Sequence, residues 1–294
     1  MIATPASATT AAPSGAPARR WYLPLGRWLL TLLLAVAAIF TLWPFLWMVL
    51  TSLKQGSEVL RLPVTLWPDN IFYLDNYRSI FQQLPIGRFL LNSVAVTVLS
   101  IVPSLFFSSL AGYAFAKLDF PGKEVCFILV IATLITPFEA KLIPLFILAS
   151  KLHLVNTYLG ISAPRMISPL GVFFMRQFVQ TVPDDYLNAA RIDGSTELQV
   201  FWWVAMPIMR PAIFTLAIIL FIFSWNDFLW PLAIVQDQSM MTITVGITLL
   251  GNQFYVDYTK ITAAAAVTVA PILVLYFVLQ RQVIQGMVGS GLKG

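Results

Sequence analysis

Six stretches of about twenty or more mostly apolar residues recur along the chain, at roughly 28–51, 89–115, 125–148, 158–178, 211–235 and 260–281. About twenty apolar residues in helical form cross the hydrocarbon core of a bilayer. A helix is the open-ended form that satisfies its own backbone N–H and C=O groups in lipid. The expected fold is an all-α integral membrane protein with six transmembrane helices. Composition agrees, with 59% of residues hydrophobic and only 11% charged, whereas a water-soluble chain is nearer a quarter charged. Arg19, Arg20 and Arg27 precede the first stretch, which is too long for a signal-peptide apolar region and reads as an uncleaved span. Residues 1–27, rich in Ala, Pro, Ser and Thr, are expected to form a flexible cytoplasmic tail. Residues 28–282 form the membrane domain, and residues 283–294 a second cytoplasmic tail.

The second and third stretches are separated by the run from Lys117 to Glu124, whose charges and Pro121-Gly122 pair make a hydrophilic turn. Pro137, Glu139, Lys141 and Pro144 interrupt the third stretch, and Pro164, Arg165 and Pro169 the fourth. With the N-terminus inside, the inner side collects Arg19, Arg20, Arg27, Lys117, Lys123, Arg176, Arg191, Arg210, Arg281 and Lys293, ten of the eighteen basic residues. That excess is expected to set both termini in the cytoplasm. On the outer side, Leu74, Tyr77, Ile80 and Phe81 fall at helical spacing and predict a short amphipathic helix lying at the interface or on a partner.

Several chemistries are excluded. His153 is the only histidine, so no Ser-His-Asp triad, histidine metal cluster or histidine relay can be assembled. No G-x-x-x-x-G-K-[ST] loop occurs, so the chain is expected to bind no cofactor itself and to leave ATP and its Mg to other subunits. The net charge of +5 is spread thinly, with no basic cluster longer than Arg19-Arg20, which points to membrane lipid rather than nucleic acid. Cys126, the single cysteine, reads as a small apolar residue.

The long inner loop between Arg176 and Arg210 has clear punctuation. Pro183, Asp184 and Asp185 suit a helix start, and Asp193-Gly194 its end. Thr196 and Gln199 have capping-box spacing and open a second segment that Pro207 and Pro211 are expected to close. Small Ala189 and Ala190 leave a smooth patch flanked by Tyr186 and Leu187, with Arg191 and Asp193 as polar contacts. Such a shape suits insertion into a groove on another protein. An ordinary hairpin joining two spans uses the same residues equally well.

The spacing Asn188-Ala189-Ala190, three residues, Gly194, nine residues, Val204-Ala205-Met206-Pro207 resembles the EAA loop of ABC-importer permeases. The runs Leu110 to Ala116 and Trp225 to Leu232, and the terminal Gly291-Leu292-Lys293-Gly294, are similar to the carbohydrate-uptake branch, in its MalG-like half. The resemblance implies a type I importer permease working as a heterodimer with a second permease subunit. It also implies two ATP-binding subunits and an extracytoplasmic solute-binding protein. The coupling loop, residues 182–211, would contact an ATPase through Asp185, Tyr186, Leu187, Asn188, Ala189, Ala190, Asp193, Gly194 and Pro207. The C-terminal residues Gly291, Leu292, Lys293 and Gly294 would reach between the ATPases. Asn188 stands where the family has Glu, so a charged contact there becomes a neutral one, which Asp185, one turn away, could replace.

Polar residues inside spans mark pathways or interhelical contacts. Asn92 and Ser93 on the second span, and Asn226 and Asp227 near the end of the fifth, are the candidates. For Asn92 and Ser93 the competing reading is interhelical packing, and for Asp227 a helix end at the interface. At this level an ion-coupled secondary transporter and a non-transporting membrane scaffold stay open beside the ATP-driven importer of a sugar or related polar solute.

Overall fold

The computed structural model describes residues 24–251 and 257–291, with side chains described for 26–251 and 257–280. The predicted N-terminal tail up to residue 23, and Leu292, Lys293 and Gly294, lie outside these residues. The helices are α1 (Pro24–Ser52), α2 (Gly56–Val59), α3 (Asp75–Gln83), α4 (Ile86–Lys117), α5 (Lys123–Ile135), α6 (Phe138–Lys151) and α7 (Tyr158–Ser162). They continue with α8 (Pro169–Gln180), α9 (Asp184–Ile192), α10 (Glu197–Gln199), α11 (Met206–Trp225), α12 (Leu229–Ile234), α13 (Ile243–Gly246) and α14 (Tyr258–Gly291). Among the described residues there is no strand.

The chain forms two compact units, one ending at Trp47 and one from Met48 onward. In the first, α1 exposes Trp28, Leu32, Leu33 and Phe40, the surface a lipid-facing span presents.

All six apolar stretches fold as helix, but not as six uninterrupted rods. Gly26–Ser52, Ile86–Lys117, Glu197–Trp225 and Tyr258–Gln280 are single helical runs long and apolar enough to cross a membrane. The third stretch is α5 and α6, bent by 101° at their junction. Thr136 there is extended, φ −79° and ψ 116°, because a residue before proline is pushed out of the helical region by the Pro137 ring. The fourth stretch divides for the same reason. Ser168 before Pro169 is extended, and its hydroxyl caps α8 by accepting from the Gly171 N–H at 3.0 Å.

In the other direction, Pro207 and Pro211 do not end the segment that Thr196 opens. A π-helical stretch over Val200–Ala205 joins α10 to α11, so the helix runs unbroken from Glu197 to Trp225. A proline ring clashes with the carbonyl four residues back in a regular helix. The wide π turn directly before Pro207 relieves that crowding. At the other end of the chain α14 runs to Gly291, beyond its apolar stretch Tyr258–Gln280.

Within the second unit α4 is the central helix, packed against α8, α11 and α7. Its contact with α8 uses small residues. Ser104, Ser108 and Gly112 recur every four positions and are buried. A Cβ built on Gly112 would stand 2.5 Å from the Met175 Cβ and 2.9 Å from the Arg176 backbone nitrogen. Apolar lipid gives helices no hydrophobic reason to associate, so such close backbone approach is what holds them. Gly112→Ala is expected to cost about 1–3 kcal/mol through overpacking, seen as a lower thermal midpoint of the purified protein. An unchanged midpoint would refute the close-packing account.

The predicted outer helix is α3, and it packs on α14 and α4 rather than lying free. Ile80 is fully buried, while Leu74 and Phe81 stay exposed. Asn76 donates to the carbonyls of Ser52 and Lys54 at 2.8 Å each and accepts from the Thr259 hydroxyl at 3.1 Å.

Candidate functional site

The predicted helix, turn, helix of the inner loop is present. α9 begins directly after Pro183, with Asp184 and Asp185 in its first turn. It ends in a Schellman-type cap, in which the Ser195 N–H bonds Ala190 O and the Gly194 N–H bonds Arg191 O, both at 3.0 Å. Gly194 has φ +87°, the left-handed conformation that side chains with a Cβ resist. Thr196 and Gln199 form the capping box that opens α10.

Burial then divides α9 into two faces. Leu187 is 1% exposed and sits among Tyr113, Val179, Val200 and Phe201, with half-buried Ala190 packed beside it. Asp185, Tyr186, Asn188, Ala189, Ile192, Asp193 and Gly194 are exposed. Of the residues expected to meet a partner, Leu187 and Ala190 therefore hold the helix to its own chain, and the others present the surface. Ile192, 85% exposed, belongs with them; its place four residues after Asn188 on the same face is the signal that sequence reasoning passed over. Pro207 is exposed in the first turn of α11.

Polar ties fix the orientation of α9. Lys117 at the end of α4 donates to Asp184 and to the Val182 carbonyl, each at 2.7 Å. Arg191 grips Glu197 with two bonds, Nε to Oε1 at 2.7 Å and Nη2 to Oε2 at 3.2 Å. Its Nη1 donates to Asn188 Oδ1 at 2.9 Å, and Tyr113 of α4 donates to the same Glu197 at 3.1 Å. Arg191 is thus engaged inside the chain instead of standing ready for a partner. The Glu197 hydrogen bond raises its pKa above the usual arginine value.

The hydrogen bond from Lys117, reinforced by its charge, holds the Asp184 carboxyl below its ordinary pKa. A carboxyl lowered by folding contributes stability above its unfolded pKa of about 3.9 and loses it as pH falls through the lower folded value. The tie is therefore expected to hold throughout the neutral range. Amide-exchange protection over residues 182–186, corrected for intrinsic rates, should stay level from about pH 8 to about pH 5 and fall only below about pH 4. A step between those two higher values would refute the assignment.

The polar residues of the spans divide differently. Asn92 is fully buried and spends its amide on the Ser239 and Met241 carbonyls at 2.8 Å, while accepting from the Tyr158 hydroxyl at 2.7 Å. The Ser93 hydroxyl accepts from the Ile243 N–H at 2.8 Å. Both tie α4 to the segment before α14. Asn226 caps α11, its side chain bonding back to Ile222 O at 2.9 Å. Asp227 follows that helix end and pairs with Arg165, Nε to Oδ2 at 2.6 Å, the two side chains 31% and 10% exposed for Arg165 and Asp227 respectively. Arg165 also stands 6.0 Å from the Phe138 ring centroid. Arg165 and Asp227 are 62 residues apart in sequence, and no local spacing connects them.

The chain is thus apolar and helical, with a capped helix, α9, that leaves one face exposed. Residues 104–289 match the family described as binding-protein-dependent transport system inner membrane component, and the chain belongs to this family. It is 37% identical to the arabinooligosaccharides transport system permease protein AraQ of Halalkalibacterium halodurans, over 92% of this chain and 98% of that protein. It is 33% identical to the lactose transport system permease protein LacG of Rhizobium radiobacter, over 87% and 93% respectively. Its fold matches a chain of a bacterial ABC transporter involved in the import of the acidic polysaccharide alginate. That match has a TM-score of 0.78 at 22% identity and covers 92% of this chain and 99% of that one. The protein is a permease subunit of an ABC importer, with ATP hydrolysis carried by a separate subunit.

Proposed function

We propose that this chain is one half of a heterodimeric permease that imports a saccharide, delivered by an extracytoplasmic binding protein and driven by two ATP-binding subunits. The observation that carries the reading is the two-faced α9. Leu187, Lys117 and the Arg191–Glu197 pair anchor it, and Tyr186, Asn188, Ala189 and Ile192 remain exposed on its free side. That free side enters a groove on an ATPase subunit as an amphipathic helix does. ATP and Mg stay on the partner subunits. Closure of the ATPases moves α9 and rocks the spans attached to it, so the loop transmits free energy.

Asn188 and Arg191 act together in this reading. Arg191 already has a carboxylate partner in Glu197, so a neutral amide at residue 188 leaves no charge unpaired. Asp185 is exposed and makes no ion pair among the described residues, which leaves it available to a basic group of the ATPase. Both termini are assigned to the cytoplasmic side, and the proposed C-terminal contact with the ATPases includes Leu292, Lys293 and Gly294, which lie outside the described residues. The saccharide class rests on the relatives named for arabinooligosaccharides and lactose.

The test is co-purification of the tagged chain with its ATPase, second permease and binding protein. ATP hydrolysis is then measured with arabinotriose, lactose and sn-glycerol 3-phosphate. Stimulation by a saccharide supports the reading; recovery of the chain without an ATPase would sink it.

A further inference from the structure

The stretch between α2 and α3 carries an apolar surface that the coupling role does not use. Among the described residues, more than half of those from Leu60 to Leu74 are large, apolar and exposed. Leu62 is 86% exposed, Phe72 80% and Trp67 66%. A single exposed apolar side chain is ordinary, but a dense group of them marks a surface that something covers.

The stretch is folded, not an open loop. Glu58 is buried, and its carboxylate accepts from the Asp69 N–H at 3.0 Å and from the Gln55 N–H at 3.2 Å. Buried Lys54 donates to the Thr65 carbonyl. Arg61 pairs with Asp69 at 3.2 Å, and the Asn70 side chain accepts from the Phe72 N–H at 3.0 Å. Arg61, Asp69 and Asn70 are the exposed polar residues from Leu60 to Leu74, and each is bonded within the stretch. Polar groups are thus turned on one another while apolar groups face out, the reverse of a loop made for water.

Its position limits what covers it. The stretch begins a few residues after the Gly26–Ser52 span ends, and α3 leads it back into the Ile86–Lys117 span. It stands at the Ile86 end of α4, whereas α9 is tied to Lys117 at the other end. A helix of 32 residues separates those ends by about 48 Å, the depth of a bilayer with its headgroups. The patch therefore lies at the membrane surface opposite α9. Lipid-exposed irregular backbone does not enter the hydrocarbon, which leaves the boundary layer where tryptophan is enriched. A protein partner is met through a polar rim and roughly one hydrogen bond per 100–200 Å². This surface offers apolar side chains and a charge pair that is already neutralised.

We propose that residues 60–74 form an interfacial lipid anchor, with Leu62, Trp67 and Phe72 inserted among the glycerol and upper acyl groups of the leaflet opposite α9. The apolar side chains reach about 5–10 Å into that boundary. Arg61 and Asp69 cancel, so the anchor takes neutral phospholipid and needs no anionic headgroup.

The experiment uses the full chain, alone and in the complete assembly, in phosphatidylcholine nanodiscs. With Cys126→Ser as background, Phe72→Cys and, separately, Leu62→Cys are labelled with a nitrobenzoxadiazole fluorophore. Phosphatidylcholine carrying a nitroxide near the glycerol should quench each label at least twofold more than lipid carrying it near the chain end, and more than a water-soluble nitroxide. The pattern should be the same in the chain alone and in the assembly. It should also survive a tenfold rise in salt, since no net charge is there to be screened. Quenching chiefly by the water-soluble nitroxide would overturn the anchor and leave a solvent-facing loop. Lipid quenching that disappears in the assembly would overturn it in favour of a protein partner. Stronger quenching from the chain end, or loss of lipid quenching in salt, would overturn it as well.

Discussion

Gly194→Val is expected to abolish uptake by the assembled transporter while the chain still inserts into the membrane in normal amount. Gly194 sits at φ +87°, where an L residue costs roughly 1–2 kcal/mol and a β-branched one is a clear outlier. A Cβ there meets nothing within 4 Å, so the cost is purely one of backbone conformation. The two cap bonds from Gly194 and Ser195 cannot both survive a shift of the turn, and α9 then loses its angle to the ATPase. Because the cause is φ alone, the order of damage should be Asn least, Ala intermediate and Val greatest, since asparagine tolerates the left-handed region. ATP hydrolysis stimulated by liganded binding protein is the measurement. Equal activity in all three variants would refute the account.

The companion variant is Ala189→Asp rather than Ala190→Asp. Ala190 is half-buried against the α4–α8 core, so a charge there damages the fold itself. Ala189 is exposed, and a carboxylate there spoils only the docking face. Ala189→Asp should leave the thermal midpoint of the isolated chain in place and release the ATPase on purification.

The second large effect is expected at the Arg165–Asp227 pair. Removing one member leaves the other charge partly buried and uncompensated. A fully buried pair broken this way costs about 3–5 kcal/mol. Arg165 is 31% exposed on its side chain, so water recovers part of that, and about 2–3 kcal/mol is the scale for Asp227→Asn or Arg165→Met. The double variant Arg165→Met with Asp227→Leu leaves neither charge and should regain most of the lost stability. Thermal unfolding of the purified assembly reads this directly. Additive losses in the double variant would show that the two side chains do not depend on each other.

Among the described residues hydropathy placed four helices long and apolar enough to cross a membrane, and a fifth if the bent α5–α6 pair is one span, because the cost of exposing backbone to lipid is so large that little else competes. The fourth stretch, broken before Pro169, does not make a sixth. The ends of α9 were equally legible, since Pro183, Asp193-Gly194 and Thr196 to Gln199 act through chemistry local to each turn. What stayed hidden depended on the third dimension. The period of α9 groups Leu187 with Ala190, but only their packing on Tyr113 and Val200 decides that this face turns inward. Pro207 reads locally as a stop, and the π turn that carries the helix past it is set by how Val200, Phe201 and Ala205 bury against that core. The partner of Asp227 lies on a turn that is fixed only when α7 and α8 are in place.

The contacts around Glu197 also have a mechanical meaning. One carboxylate is bonded to Arg191 from α9 and to Tyr113 from α4, and it belongs to the first turn of the helical run that continues into α11. Three levers thus share one pivot. In the proposed coupling role, a push delivered at α9 would pass to both long spans through this one carboxylate.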